Sequence, residues 1–372
     1  MIIRVASSPG EIRAVASDAD GPLDVAIERP AAPDGVGDLH RGRITARLPA
    51  LAGSFVRLHD GSDGFLPDSA LPSGIGSDHP EGTILPVRVT RAAQGGKGPR
   101  LTARLAEALP AGPVALLHRG PGAVERLATL HPTAVIELDN PALAAALHPL
   151  LGDRLHLVRQ AFDDSLESHL ESLSESHADL PGGVSMSIHP TPALTAIDLD
   201  LAAASATRTT KARAHDQANR AAIPALARQI RLRNLSGAIV VDLAGLSPKR
   251  RAALGPALAA ALAADPLAPR FLGFSALGLA EILRPRVHPP LHEIRAVPHA
   301  AGLAALRHAA RQAAARPHAR LALHAAPAVI AALQADAAAL ADFTAGAGHP
   351  IALRPNPALA LHACRIEEVS HA

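Results

Sequence analysis

Tyrosine and tryptophan are absent from this 372-residue chain, which carries only 6 phenylalanines and 1 cysteine. Without Tyr or Trp, any contact with a nucleobase falls to Phe, His or Arg. The single cysteine, Cys364, excludes an internal disulfide framework and points to a reducing cytoplasm. No apolar run reaches about 18 unbroken residues, so no membrane span is expected. The opening Met-Ile-Ile-Arg-Val lacks the basic stretch and long apolar run of a secretory signal. A dominant charge is missing too: the formal net charge is +2 with a pI near 9.2, so distribution matters more than the sum. No G-x-S-x-G elbow, Walker loop or G-x-G-x-x-G turn is found, which leaves a nucleotide-binding α/β enzyme as a weak reading.

What the chain does hold is the stretch Ser185–Leu243. Two apolar runs within it, Ala193–Ile197 and Ala238–Val241, each end on an aspartate, Asp198 and Asp242. Short β-rich runs closing on a carboxylate read as buried strands whose charged residue emerges at the strand end. Asp200 stands two residues after Asp198, and i and i+2 share one face of a strand. Three carboxylates brought to one sheet end repel unless a cation lies between them. Hard oxygen ligands suit Mg²⁺, which takes one or two carboxylates and keeps its waters for phosphate chemistry. The plainer alternative at each strand end is a turn residue or a helix N-cap.

Elsewhere the pattern is read in chain order. Residues 1–36 give strand, turn, strand. Residues 37–104 give five strand-like runs with glycine turns, GRITARL, GSFVRLH, DGFLP, ILPVRVTRAA and PRLTARL, at the spacing of a small barrel. Phe55 and Phe65 fall on neighbouring runs joined by His59-Asp60-Gly61, with Arg41, Arg43, Arg88, Arg91, Lys97 and Arg100 around them. Two aromatics framed by basic residues make a stacking platform for single-stranded nucleic acid; the alternative is that both belong to the barrel core. Leu166, Leu170 and Leu173 mark an amphipathic packing helix over Ser165–Glu175. Ala202–His215 reads as an exposed loop whose Arg208, Lys211 and Arg213 face either phosphates or solvent. Ala218–Arg233 reads as a helix in spite of Pro224, with Arg228, Arg231 and Arg233 on a basic side. Lys249–Asp265 is a helix interrupted at Pro256, Phe271–Ser275 a strand, and residues 298–372 alternate helix and strand.

The segments PTPALTAIDLD and ARQIRLRNLSGAIVVDL resemble the catalytic core of the ribonuclease E/G family, in which one strand ends Asp-x-Asn and a second ends in Asp. GDLHRGRITARLPALAGSFVRLHDGSDGFLP resembles that family's OB-fold RNA-binding domain, and Gly95-Gly96-Lys97-Gly98 its GNKG loop. LGLAEILRPR, ending at Arg286, resembles its GLLEMSRQR segment; a local ion pair on a helix is the alternative for Glu281 there. The resemblance spans Ile3 to Val369 and implies an α/β (α+β multidomain) architecture. Its parts are a ribonuclease-H-like scaffold at 1–36 and 105–185, an OB-fold β-barrel inserted at 37–104, a deoxyribonuclease-I-like catalytic subdomain at 186–292, and a small C-terminal α/β domain at 293–372.

The same resemblance implies a cytoplasmic endoribonuclease that cuts single-stranded RNA with a water activated by Mg²⁺, or Mn²⁺ in its place. Asp198 and Asp242 match the two metal ligands, and Asp200 falls where the family has asparagine. Asn219 matches an asparagine at a helix start. Phe55, Phe65, Lys97, Arg208, Arg231, Arg284 and Arg286 are the residues expected along the RNA. Two blocks of the family are missing. No Arg-Thr sensor of a 5′-monophosphate follows the barrel, so 5′-end sensing is expected to be weak or absent. After Arg286 the chain reads VHPPLHEIRAV where the family has Cys-x-x-Cys, which excludes a thiolate zinc site and leaves the C-terminal domain as the element for a homodimer. The rival of another class is an RNA-binding protein of the same fold that no longer cuts.

Overall fold

The computed structural model describes residues 1–72, 79–106, 109–201 and 208–369, the side chains of 208–212 excepted. In chain order the strands are β1 (Ile2–Ser8), β2 (Glu11–Asp18), β3 (Gly21–Glu28), β4 (Leu39–Leu48), β5 (Gly53–Arg57), β6 (Asp63–Pro67), β7 (Ile84–Arg91), β8 (Arg100–Thr102), β9 (Ala115–His118), β10 (Val135–Leu138), β11 (Leu155–Leu157), β12 (His177–Leu180), β13 (Val184–Pro190), β14 (Thr195–Leu201), β15 (Gly237–Asp242), β16 (Arg270–Phe274), β17 (Ala280–Arg284), β18 (Leu321–Ala325), β19 (Ala352–Pro355) and β20 (Cys364–Glu368). The helices are α1 (Ala123–Leu130), α2 (Pro141–Leu151), α3 (Asp164–Ser172), α4 (Arg208–Leu232), α5 (Pro248–Ala252), α6 (Gly255–Leu262), α7 (Leu291–Arg295), α8 (Pro298–Ala315), α9 (Pro327–Ala335) and α10 (Ala337–Ala347). Among the described residues no single helix is long and apolar enough to cross a membrane.

The chain divides into two units, and the first comprises Met1–Pro33, Gly122–Ser174 and Leu291–Ala372. Its larger sheet has the order β11-β10-β1-β2-β3, parallel from β11 to β1 and antiparallel from β1 to β3. Ile3, Val5, Ala14 and Ala16 alternate inward and meet Val124 and Leu127 of α1. A smaller sheet, β19-β18-β20, packs Leu321 and Leu323 against Leu303 and Leu306 of α8 and Phe343 of α10. The amphipathic helix expected over 165–175 is α3, with Leu166 and Leu170 buried on it and Leu173 buried just past its end.

Charge is concentrated inside this unit. Arg13 donates to both carboxylate oxygens of Glu167 at 2.7 and 2.8 Å and stacks over the Phe162 ring at 5.0 Å. Arg311 also reaches Glu167, while Arg29 and Arg307 donate to Glu11 at 2.9 and 2.7 Å. Burial by itself raises the Glu167 carboxyl, but Arg13 and Arg311 outweigh it and hold the group at about 2.

The second unit comprises Asp34–Pro121 and Glu175–Pro290, and it holds a barrel and a mixed sheet. β4, β5, β6, β8 and β7 pair in a ring that closes through β4–β5, and β9 adds to β4. The five-stranded closed barrel fills its interior with Ile44, Val56, Leu66, Val87, Val89 and Leu101.

The mixed sheet has the order β12-β13-β14-β15-β17-β16. β14 and β15 are parallel neighbours joined by α4, a strand–helix–strand crossover. One face carries Met186, Ile188, Ile197, Leu199, Ile239 and Val241, and it is covered by Ala222, Ile223, Leu226 and Ile230 of α4 with Leu258 and Leu262 of α6. The opposite face of β14 is exposed at Asp198 and Asp200.

Three local readings are corrected here. The helix α4 already includes Arg208, so the expected loop at 202–215 ends at least eight residues early; residues 202–207 lie outside the described ones. The 249–265 helix breaks at Ala253–Leu254, and Pro256 sits in the first turn of α6, where its missing N–H has no partner to lose. The alternative of a helical ion pair at Glu281 fails because Ala280–Arg284 is a strand, in which Ala280, Ile282 and Arg284 turn inward.

Candidate functional site

The exposed face of the mixed sheet is built by period-two alternation on four neighbouring strands. Register places His177, Ser187, Asp198 and Asp242 in one row across β12, β13, β14 and β15. A second row holds Asp179, Ser185 and Asp200. Directly paired residues share a face, so the Asp198 and Asp242 carboxylates stand side by side on adjacent strands, which are roughly 4.8 Å apart. The Asp242 side chain is 49 % exposed.

Asp200 does not join the pair. It lies one pleat further along β14, and its Oδ1 accepts from the backbone N–H of Leu201 at 2.8 Å. Among the described residues no group of three or more His, Cys, Asp and Glu side chains is assembled to hold a metal ion. The expected convergence of three carboxylates is therefore a pair, and a pair of hard oxygen donors fits Mg²⁺, which fills the rest of its shell with water. A zinc-binding group is likewise absent among the described residues.

Two residues that sequence reasoning passed over shape this end of the sheet. Arg251, just past the Pro248 that opens α5, reaches Asp242 Oδ1 at 3.4 Å and the carbonyl of Gly278 at 3.2 Å. Ser187 is the cross-strand neighbour of Asp198, and His189 Nε2 lies 3.1 Å from its hydroxyl. The alternation of Ser185, Ser187 and His189 in SMSIHP carried that signal. Asn219, fully buried on α4, donates to the carbonyl of Ala244 at 3.0 Å and to that of His215 at 2.7 Å. It thereby ties the turn that follows Asp242 to the covering helix.

On the barrel, Phe55 and Phe65 are direct cross-strand partners, their rings 6.2 Å apart and tilted by 72°. Phe55 is 38 % exposed and Phe65 half-buried, and neither belongs to the barrel core cluster. Gly53 makes room for Phe65: a Cβ there would meet its ring at 2.6 Å. Arg100 lies over the outer side of Phe65 at 5.9 Å. Lys97 is exposed at the tip of the Gln94–Lys97 bridge, where Gly95 and Gly96 take positive φ of 58° and 70°.

The four arginines expected along RNA fall into different settings. The Arg208 side chain lies outside the described residues. Arg231 donates to the Ala264 carbonyl at 2.6 Å, closing the chain beyond α6. Arg284 is buried, 3 % exposed, and engaged by Asp265 at 2.6 Å, the Asn234 side chain at 2.7 Å and the Leu235 carbonyl at 3.2 Å. Such an arginine ties the end of β17 to Asp265, Asn234 and the Leu235 carbonyl, so most of its donors are already engaged. Arg286 is half-buried, with its guanidinium lying against Gly237.

Comparison with known proteins gives one family match: residues 142–287 match the model of the ribonuclease E/G family. Ribonuclease E of Escherichia coli strain K12 is 32% identical over 180 residues, which is 46% of this chain and 17% of that protein. Ribonuclease E of Nostoc sp. is 37% identical over 118 residues, 31% of this chain and 17% of that protein. Ribonuclease G of Escherichia coli strain K12 is 32% identical over 131 residues, 35% of this chain and 26% of that protein. The aligned part is thus well under half of each of these curated relatives.

Proposed function

We propose, on the premise that over residues 142–287 this chain belongs to the ribonuclease E/G family, that it is an endoribonuclease which cuts single-stranded RNA with the help of Mg²⁺. The observation that carries the reading is the Asp198–Asp242 pair, side by side on neighbouring parallel strands within the matched span. These two carboxylates would hold the cation. When bound, it supplies an activated water and offsets charge on the phosphodiester.

The remaining work falls to the chain's own residues. Phe55 and Phe65 stack bases, which is sequence-tolerant because every base has a π-face. Lys97 meets the backbone as a point charge on an exposed tip. Arg251 and Asn219 fix the Asp242 carboxylate and the turn behind it. Asp200 is a bystander that raises the negative potential of the face. We further propose the domain order scaffold, inserted OB-fold, scaffold, catalytic subdomain and C-terminal domain, with cleavage indifferent to a 5′-monophosphate.

A second reading, an RNA-binding protein that does not cut, is favoured by one observation: Asp242 already pairs with Arg251. The test is incubation with a 5′-labelled single-stranded RNA in Mg²⁺ and in EDTA, using both 5′-monophosphate and 5′-hydroxyl forms. Internal cuts that appear only with Mg²⁺ and at equal rates on both forms support the first reading. Binding with no cut in Mg²⁺ or Mn²⁺ selects the second.

A further inference from the structure

The aspartate pair on the mixed sheet comes with a counter-charge of its own. Asp198 and Asp242 stand side by side on β14 and β15, and two ionised carboxylates so placed repel each other. Among the described residues Arg251 is the one basic side chain paired with either, its Nη2 donating to Asp242 Oδ1 at 3.4 Å. The fold provides a seat for that guanidinium. Pro248 opens the short helix α5 that carries it, and Nη1 donates to the carbonyls of Leu277 and Gly278 at 3.4 and 3.2 Å. Gly278 lies in the turn between β16 and β17 with φ of 85°, and a Cβ there would collide with Nη1.

The contact is a loose one. Elsewhere the molecule ties guanidiniums to carboxylates tightly: Arg13 grips Glu167 by two bonds of 2.7 and 2.8 Å, and Arg284 meets Asp265 at 2.6 Å. Arg251 reaches a single oxygen of Asp242, and its Nε is buried with no hydrogen-bond partner. Short, two-pronged contacts are the strong ones, so this one is weak enough to be shared or released. The Asp242 side chain is still 49 % exposed while so paired. The carboxylate thus remains open to a second partner. A guanidinium and a divalent cation at one carboxylate are close neighbours, and their like charges repel.

We propose that Arg251 is a positioning residue that regulates the charge of the aspartate pair: it stands in for a cation when none is bound, and its own charge holds down the affinity of the pair for a divalent cation. The proposal rests on the metal reading of Asp198 and Asp242 given above. Without a cation, Arg251 offsets one of the two negative charges and holds Asp242 at the end of β15. One fixed positive charge cannot satisfy two carboxylates. The pair keeps a net negative charge, with Asp200 one pleat along β14 adding to it, and so still attracts a divalent cation.

The experiment measures Mn²⁺ binding to the RNA-free protein, from the loss of the free-ion electron paramagnetic resonance signal, together with thermal melting in EDTA and in Mn²⁺. The proteins are wild type, Arg251→Gln, Arg251→Lys and Asp242→Asn, each checked for folding by circular dichroism. Arg251→Gln should bind Mn²⁺ about tenfold more tightly than wild type, because one repelling charge is gone. Arg251→Lys keeps the charge and should stay within about threefold of wild type. In EDTA Arg251→Gln should melt below wild type, and saturating Mn²⁺ should raise its melting temperature by more than it raises that of wild type. If Arg251→Gln is unfolded in EDTA, the proposal requires Mn²⁺ to restore its fold, and no recovery overturns it. Mn²⁺ affinity in a folded Arg251→Gln equal to or weaker than that of wild type also overturns it, while the metal reading stands. If Asp242→Asn binds Mn²⁺ as tightly as wild type, the cation does not use the pair, and the metal reading falls together with the proposal.

Discussion

Two sets of arginines divide this molecule. In the first unit Arg13, Arg29, Arg307 and Arg311 converge on Glu11 and Glu167, each within reach of a carboxylate. In the second unit Arg91, Arg100, Arg270 and Arg286 face one cavity, and among the described residues none of them has a carboxylate partner. The residue type is the same, and the partner decides the role. A buried arginine beside glutamate is part of the frame, because removing either partner strands the other charge away from water. An arginine with no acid opposite it leaves its charge for a ligand. Arg284 shows how fine the division is: it lines the same cavity as Arg286, yet Asp265 makes it structural.

The comparison can be broken at several points. The largest effect on stability is expected from Asp265→Ala, which leaves Arg284 buried and uncompensated and should cost about 3–5 kcal/mol in denaturant unfolding. Loss of less than about 1 kcal/mol would show that Asn234 and the Leu235 carbonyl suffice. Next comes acid. Glu167 is held at about 2 against an ordinary 4.5, so its depressed value stabilises the fold above about pH 4.5. That contribution, about 3 kcal/mol, fades as pH falls from 4.5 towards 2. Melting curves across this range should steepen for wild type and flatten for Glu167→Gln; parallel curves would contradict the pairing. Phe55→Ala should weaken RNA binding by about 1–3 kcal/mol with little change in melting, since its ring is exposed. Smallest of all, Arg270→Gln should shift stability by no more than about 0.5 kcal/mol, because it forms no ion pair among the described residues. A clear loss of stability there would place Arg270 with the frame.

Much of this was readable in the chain, and the limits have physical causes. The strands ending at Asp198 and Asp242 were legible because alternation and a terminal carboxylate are local signals. The barrel strands were legible from glycine turns, and the resemblance named both aspartates. Their direct pairing is non-local: it depends on α4 returning the chain so that β15 lies parallel to β14, and no periodicity encodes a strand order. Asp200 was expected with them because i and i+2 share a face, but a shared face does not bring side chains together along a strand. Arg231 and Arg284 looked like RNA contacts because composition does not reveal which carbonyl or carboxylate a guanidinium meets. Arg251 and the arginine cavity escaped for the same reason. Their residues lie on separate elements that only the fold gathers.

The central claim is that Asp198 and Asp242 act on RNA that other residues hold. The most direct measurement is the rate of internal cleavage at saturating RNA in Mg²⁺ for Asp198→Asn and Asp242→Asn, with RNA affinity determined on the same samples. The account predicts that each rate falls about a thousandfold while affinity stays within about twofold. Cleavage at the wild-type rate by either variant would contradict it.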